Sequence, residues 1–503
     1  MTQSTDATSR RSADTITAIT AARMKEVVSA VPTGLFIGGK WLEADGSVPV
    51  EDPSNGEILA EVADATPAQG MLALDAAVAA QKDWAKTDPR ARAEILRKAF
   101  ELLVQRTEEF ALLMTLEMGK PLAEARGEVA YGAEFFRWFS EEAVRISGRY
   151  SIAPTGGTRL LTMKQPVGPV YAITPWNFPL AMGTRKLGPA LAAGCAVVLK
   201  PAAQTPLTSL ALAQLLTEAG VPAGVVNVIT TSHSGEVSEP IIRDPRLRKL
   251  TFTGSTPVGQ RLIEQSAQQV LKVSMELGGN APFVVFADAD LDRAVDGAML
   301  AKMRNIGEAC TAANRFIVHE SVAAEFSQRL AERMGDLVIG RGIDQGVQVG
   351  PLVDAAAISK VQELVADALD RGAKVLTGAR TVGDKGYFYA PTVLSDVPHT
   401  ADMFSQEIFG PVAPITTFDT DDEGIALAND TEFGLVAYAF TENLTRALGV
   451  AERLETGMVG INQGIISNPA APFGGVKASG LGREGGAEGI EEYLETKYVG
   501  IAL

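Results

Sequence analysis

The sequence predicts an α/β fold, a mostly parallel sheet with helices on both faces, and two observations carry that prediction. Short strand-like runs such as Val170 to Ile173, Cys195 to Leu199 and Lys249 to Thr253 alternate with longer stretches of helical period, the pattern of a sheet buried on both sides. Several of these runs end in a polar or glycine-rich segment, and open α/β sheets bind ligands at the carboxyl ends of their strands. With 503 residues, 46% of them hydrophobic, the chain is long enough for two or three domains with large cores.

The elements follow in order. The first 33 residues are rich in Ser, Thr and Ala; no apolar stretch follows Arg10-Arg11, and Asp6, Asp14 and Glu26 argue against a transit peptide. Residues 1–33 are therefore expected to be a poorly ordered extension with one short helix near Ile19 to Val31. Pro67 to Trp84 and Arg92 to Glu117 have apolar residues at helical spacing, so their Leu, Phe and Met positions face a core. Val170 to Ile173 is a strand ending at Thr174-Pro175-Trp176-Asn177, and Leu187 to Ala193 is a helix stopped by Gly194. Cys195 to Leu199 is an apolar strand that delivers Lys200. Leu207 to Ala219 is a helix closed by Gly220 and Pro222, followed by strand Val225 to Thr230. Lys249 to Thr253 turns at Gly254-Ser255 into a helix from Val258 to Gln269. A second round has strand Phe283 to Phe286, helix Ile358 to Arg371 capped by Gly372, and strand Ala373 to Leu376. Lys497 to Leu503 is an apolar run that needs a covering partner.

A net charge of −16 disfavours nucleic acid, whose phosphates require clustered Lys and Arg, and an anionic substrate must find a local basic pocket. Two Cys are too few for a disulfide framework and fit a reducing, cytoplasmic setting. His233, His319 and His399 lie far apart without partners at ligand spacing, so no metal site is expected. No apolar window is long enough to predict a membrane helix.

Cys310 lies in Gly307-Glu308-Ala309-Cys310-Thr311, with Glu276 before Leu277-Gly278-Gly279 and Asn177 between Trp176 and Phe178. A thiol, a carboxylate and a carboxamide are the groups needed to make, oxidise and hydrolyse a thioester. The thiol adds to a carbonyl carbon, the amide N–H holds the oxyanion, and the carboxylate activates water. A buried structural thiol is the competing reading of a Cys, and it fits Cys195 better than Cys310. Gly254 to Gly259 follows a strand and opens a helix, so its N–H groups can face a pyrophosphate, although capping by Ser255 or Thr256 explains the same residues. Gly480-Leu481-Gly482-Arg483-Glu484-Gly485 has G-x-G-x-x-G spacing without the βαβ context, and its glycines are expected to shape a tight loop between domains.

In order and spacing, Pro175 to Pro179, Lys200-Pro201, Phe252 to Thr256, Glu276 to Gly279, Cys310 and Glu407 to Pro411 resemble the NAD(P)-dependent aldehyde dehydrogenase superfamily, from about Gly38 to the C-terminus. The resemblance implies a Rossmann-type cofactor domain (34–148 and 165–280), an α/β catalytic domain (281–474) and a small β oligomerisation arm (149–164 and 475–503) in a homodimer or homotetramer. It implies Cys310, Glu276 and Asn177 as catalytic residues. NADP or NAD is then held by Pro175, Trp176, Lys200, Pro201, Ala202, Ala203, Gly254, Ser255, Thr256, Gly259, Leu277, Glu407 and Phe409.

Arg185 and Arg304, with the Ser467 hydroxyl, imply an aldehyde bearing a distal carboxylate, of the succinate-semialdehyde type, because a guanidinium fork suits a carboxylate. The competing reading of both arginines is structural ion pairs. Glutarate semialdehyde is the alternative, since one methylene shifts binding by only ~1–3 kcal/mol. Acyl transfer to coenzyme A is the alternative from another class, opposed by Glu276, whose hydrolytic chemistry would destroy the thioester. Three positions depart from the pattern. Glu308 stands where Gln is usual, and a carboxylate facing Cys310 would disfavour its thiolate. Ala312 removes a neighbouring thiol. Ala203 replaces the Glu of NAD-preferring members and removes its repulsion of a 2′-phosphate, so NADP is expected to be accepted and preferred.

Overall fold

The structure, a computed structural model, describes residues 19–502. Two twisted sheets organise it. The first has eight strands in the order Lys40–Leu42, Leu35–Ile37, Val226–Val228, Val197–Lys200, Val170–Ile173, Lys249–Thr253, Lys272–Glu276, Gly480–Leu481. From Val226–Val228 to Lys272–Glu276 the pairing is parallel. Every residue of Val170–Ile173, Val197–Lys200 and Lys249–Thr253 is buried, as expected for strands covered on both faces. The register sets Ile173 beside Lys200 and Thr253 beside Glu276. The segments carrying Asn177, Lys200, Gly254 and Glu276 therefore all leave one edge of the sheet.

The second sheet has seven strands in the order Lys374–Thr377, Thr392–Ser395, Val412–Phe418, Ala313–His319, Ala281–Val285, Val436–Phe440, Met458–Ile461. All but the first pairing are parallel. Cys310 precedes Ala313–His319 and Glu407 precedes Val412–Phe418, so both sit at the amino ends of their strands. Only Leu277 to Asn280 separates the first sheet from the second in sequence, and the carboxyl ends of one sheet meet the amino ends of the other there.

Local chemistry explains most helix boundaries. Thr66 and Gln69 form a reciprocal capping box that starts Pro67–Trp84. Gly194 and Gly220 take left-handed φ of 93° and 105° to end Ala181–Ala193 and Leu207–Ala219. The single helix expected over Arg92 to Glu117 is instead two, Pro89–Gln105 and Thr107–Met118, broken at Arg106. There the Thr107 hydroxyl donates back to the Val104 carbonyl at 2.8 Å, a side-chain bond that competes with helix continuation. Leu122–Glu142 is a long helix that the sequence reading did not anticipate, and Ala181–Ala193 begins well before Leu187.

The expected N-terminal helix is present as Ala21–Ser29, but it is not loose: Val27 and Val28 are buried in the core under the first sheet. Residues 19–33 thus belong to the folded body, which corrects the expectation for that stretch; residues 1–18 of the expected extension lie outside the described residues. Arg149–Ile152, Thr158–Pro166 and Leu494–Ala502 form a separate antiparallel sheet, with Tyr150, Ile152, Tyr498 and Ile501 exposed. The segment with G-x-G-x-x-G spacing begins as Gly480–Leu481, pairing antiparallel with Met275 and Glu276, and holds no helix N-terminus. Among the described residues no helix is long and apolar enough to cross a membrane.

Candidate active site

A cavity of about 340 Å³ opens where the two sheets meet, and Asn177, Glu276 and Cys310 line it together. Cys310 is half-buried in the turn that precedes its strand, and burial pushes its thiol up to about 12. Arg185 and Arg304 pull that value down, while Glu407 and Glu276 push it further up. Cys195 is fully buried in the core, with its thiol donating to the Tyr493 carbonyl at 3.5 Å, as expected for a structural cysteine.

Asn177 is buried in the loop after Val170–Ile173. Its Oδ1 accepts from the Phe178 N–H at 3.1 Å and its Nδ2 donates to the Glu308 carbonyl at 3.0 Å. An amide nitrogen carries two hydrogens, so one remains for an oxyanion beside Cys310. Among the described residues the Cys310 N–H donates to no backbone carbonyl, leaving it as a second donor.

Glu276 ends Lys272–Glu276, and neither carboxyl oxygen has a hydrogen-bond partner. Burial, reinforced by Glu484, raises its pKa well above the usual carboxylate value against the opposing pull of Arg185, Lys186 and Arg483. Gly474 makes room for it: a Cβ there would lie 2.9 Å from Glu276 Oε1.

The cofactor residues divide into two groups. Pro175, Trp176, Gly254, Ser255, Leu277, Glu407 and Phe409 line the cavity, with the Trp176 and Phe409 rings edge to face at 5.3 Å. Ser255 precedes helix Thr256–Ala267 and its side chain makes no capping bond, so the first-turn N–H groups stay available to an anion. Thr256 is buried and donates to the Ala478 carbonyl at 3.2 Å, a structural bond, and a Cβ at Gly259 would collide with Leu277, which fixes that residue as glycine. Glu407 accepts from the Gly279 N–H at 3.2 Å, and burial lifts it to about 7.

Lys200, Pro201, Ala202 and Ala203 lie outside this cavity at the neighbouring strand end. Burial brings Lys200 down to about 8; its ammonium donates to the Ser234 hydroxyl at 3.1 Å and the Pro201 carbonyl at 3.2 Å. Lys360, Val353 and Asp354 also line the cavity and were not foreseen, because in the sequence Lys360 is one polar position of an amphipathic helix.

The two arginines part company. Arg304 donates to the Ser467 hydroxyl at 3.2 Å, and its guanidinium lies 5.0 Å from the Phe178 ring centroid and 5.6 Å from that of Tyr131. Among the described residues it makes no ion pair. Arg185 is only 2% exposed, stacks at 4.0 Å on Phe473, and its Nη2 lies 2.6 Å from Glu484 Oε2, with Lys186 on the other oxygen at 2.6 Å. Burial opposes the Arg185 charge most strongly, but Glu484 together with Tyr131, Glu276 and Cys310 outweighs it and holds the guanidinium protonated. For Arg185 this pair with a carboxylate of the protein favours the structural reading over substrate binding.

Glu308 also differs from the inward-facing arrangement considered for it. Its side chain is fully buried, Oε1 accepts from the Val353 N–H at 3.1 Å, and Oε2 has no partner. Burial raises its pKa well above the usual value, which disfavours a negative charge beside Cys310.

These features place the chain in the aldehyde dehydrogenase family, whose model matches residues 41–499. It is 62% identical to a succinate-semialdehyde dehydrogenase of Paenarthrobacter nicotinovorans, over 88% of this chain and 99% of that one. It is 50% identical to a glutarate-semialdehyde dehydrogenase of Pseudomonas putida strain KT2440, over 93% and 97%. A crystal structure of an E. coli NADP-dependent enzyme superposes with a TM-score of 0.93 at 51% identity, covering 94% of this chain and 99% of the other.

Proposed function

We propose that the protein oxidises succinate semialdehyde to succinate with NADP⁺, and that the Arg304–Ser467 pair selects the substrate. The single observation that carries the substrate reading is Arg304, a cation without an ion-pair partner among the described residues, hydrogen-bonded to Ser467 outside the lining of the cavity and favouring the Cys310 thiolate electrostatically. The cavity walls fit a nicotinamide cofactor: Trp176 and Phe409 flank it, Glu407 lines it, and an uncapped helix N-terminus opens at Ser255.

Cys310 Sγ attacks the aldehyde carbon, and the resulting oxyanion takes the free hydrogen of Asn177 Nδ2 and the Cys310 N–H. Such donors in a dry site are each worth roughly 10²–10³ in rate. A nicotinamide cofactor held by residues such as Trp176, Glu407 and Phe409 would supply the hydride acceptor, and collapse of the Cys310 oxyanion adduct with loss of hydride would give the Cys310 thioester. Glu276 then takes a proton from water as the water oxygen bonds to the acyl carbon, and the C–S bond breaks to release the acid. Hydrolysis rather than acyl transfer follows from a carboxyl group in the cavity with no other hydrogen-bond partner.

Ala203 near Lys200 supports NADP⁺, since no carboxylate at position 203 opposes a 2′-phosphate. The relative named for glutarate semialdehyde makes the five-carbon homologue the second reading. The exposed apolar face of the three-stranded sheet suits a homodimer or homotetramer, and two unpaired cysteines suit the cytoplasm.

The deciding experiment compares Arg304→Ala on succinate semialdehyde and on butanal. Removing one partner of a desolvated charge pair costs about 2–5 kcal/mol, so kcat/KM for the charged aldehyde is expected to fall about 30-fold or more. Butanal should change no more than about threefold. Equal losses on both substrates would overturn the substrate assignment.

A further inference from the structure

We propose that Asn305 is a positioning residue whose carboxamide clamps the Asn177 loop to the Cys310 loop, so that oxyanion donor and nucleophile stay in register. The proposal rests on the reading of Cys310 as nucleophile and Asn177 as oxyanion donor.

Asn305 is fully buried, and its Nδ2 uses both hydrogens: one reaches the Asn177 carbonyl at 3.0 Å, the other the Glu308 carbonyl at 2.9 Å. The Glu308 carbonyl also receives the Asn177 side chain at 3.0 Å. One carboxamide thus bridges the main chains of both catalytic loops, and Asn177 closes the same triangle from its own side. Lys120 supplies a second donor to the Asn177 carbonyl at 2.8 Å, and the Glu124 carboxylate accepts the Asn305 N–H.

The backbone shows how strongly this arrangement is imposed. Asn305, Ile306 and Gly307 take φ of 53°, 63° and 79°, three successive left-handed residues of which one is β-branched. Such a run persists only where the surroundings over-determine it. Gly307 has no freedom to change, because a Cβ there would collide with the Gly410 carbonyl, and Lys302 donates to that carbonyl at 3.2 Å. The reversal is therefore wedged between the loop carrying Glu407, Phe409 and Gly410 and Asn177, and it aims the following residues, Cys310 among them, into the cavity. Asn tolerates left-handed φ better than most residues, but tolerance alone would not direct its amide at two carbonyls of the site.

The test uses Asn305→Gly, which suits the positive φ and removes both donors, and Asn305→Asp, which keeps the shape and replaces donors with acceptors. Both are expected to lower kcat for succinate semialdehyde about 100-fold, the size of a lost oxyanion donor. KM for the aldehyde, the Kd of NADP⁺ by fluorescence quenching and the melting temperature of Asn305→Gly should stay close to parental values. The rate of Cys310 alkylation by iodoacetamide should also be retained, since that reaction needs no oxyanion donor. Parental kcat in Asn305→Gly would overturn the proposal, and so would a joint fall of kcat, NADP⁺ affinity and melting temperature, which marks a merely structural residue. Cys310→Ala is assayed alongside: turnover surviving there would defeat the underlying reading, separately from any result at Asn305.

Discussion

Replacing Glu308 with Gln should stabilise the protein at neutral and alkaline pH while leaving its stability at acid pH unchanged. In the folded state the carboxyl is fully buried with one backbone N–H donor, and the nearest cation acting on it, Lys120, is already bonded to Glu128 and to the Asn177 carbonyl. Its raised pKa means that the folded protein keeps the proton after the unfolded chain has lost it. A carboxyl raised in this way contributes its full stability below the unfolded value, 4.5, and loses it as pH climbs towards the folded value.

Over that window the folded state binds one proton more than the unfolded state, which costs about 1.4 kcal/mol per pH unit. Between pH 5.5 and 7.5 the gap between Glu308→Gln and its parent should therefore open by up to about 2.7 kcal/mol. Glutamine keeps the oxygen that Val353 needs and cannot ionise. The assay is urea unfolding of both proteins at each pH, followed by fluorescence, with only the variant-minus-parent difference interpreted. That difference stays meaningful in a chain with two sheets that need not unfold in one step. A gap independent of pH, or a parent that gains on the variant as pH rises, would show that Glu308 is ionised and compensated in the fold. Because the carboxyl turns towards Val353, the pH dependence of Cys310 alkylation should be the same in both proteins.

Three further outcomes are expected. Glu276→Gln should give a single burst of reduced cofactor per active site without release of acid; absence of the burst would move Glu276 out of thioester hydrolysis. Arg185→Ala leaves the buried Glu484 with Lys186 alone, and breaking such a pair costs about 3–5 kcal/mol. It should therefore lower thermal stability and depress charged and neutral aldehydes alike, whereas a loss confined to succinate semialdehyde would return Arg185 to substrate binding. Ala203→Glu should shift kcat/KM from NADP⁺ towards NAD⁺ by tenfold or more, about 1.4 kcal/mol, and an unchanged ratio would show that position 203 does not face the 2′-phosphate.

The legible parts of this protein were those fixed by short-range chemistry. Strands such as Val170–Ile173 and Lys249–Thr253 were read to the residue because parallel strands buried on both sides are uninterrupted and sharply ended. Cys310, Glu276 and Asn177 stood out because their neighbours form recognisable words, and the structure brings all three to one cavity. What escaped depends on contacts far apart in sequence. The identity of Arg185 says that it is cationic but not that Glu484, nearly three hundred residues on, already compensates it. The break at Arg106 is set by a single hydroxyl bond inside an otherwise continuous apolar pattern. Glu308 looked like a charge beside the nucleophile, and only its burial, which outweighs the opposing Val353 hydrogen bond, shows that this charge is disfavoured.

The same burial decides how the site must work. Burial pushes Cys310 up to about 12 and raises Glu276 well above the usual carboxylate value, so it disfavours the charged form of both. Glu407, lifted to about 7, sits at the edge of ionisation in the same cavity. The thiol and these two weakened acids share the cavity with Asp354 and Lys360, one carboxylate against one ammonium, so an anionic aldehyde meets less repulsion there than the overall charge of −16 would give. Arg185 and Arg304 both favour the Cys310 thiolate but do not overcome its burial. Positive charge added to this cavity would favour the Cys310 thiolate, and an oxidised nicotinamide held by residues such as Trp176, Glu407 and Phe409 would supply it. The nucleophile would then be activated only with the hydride acceptor in place, and a thiol protonated until that point would be protected from oxidation.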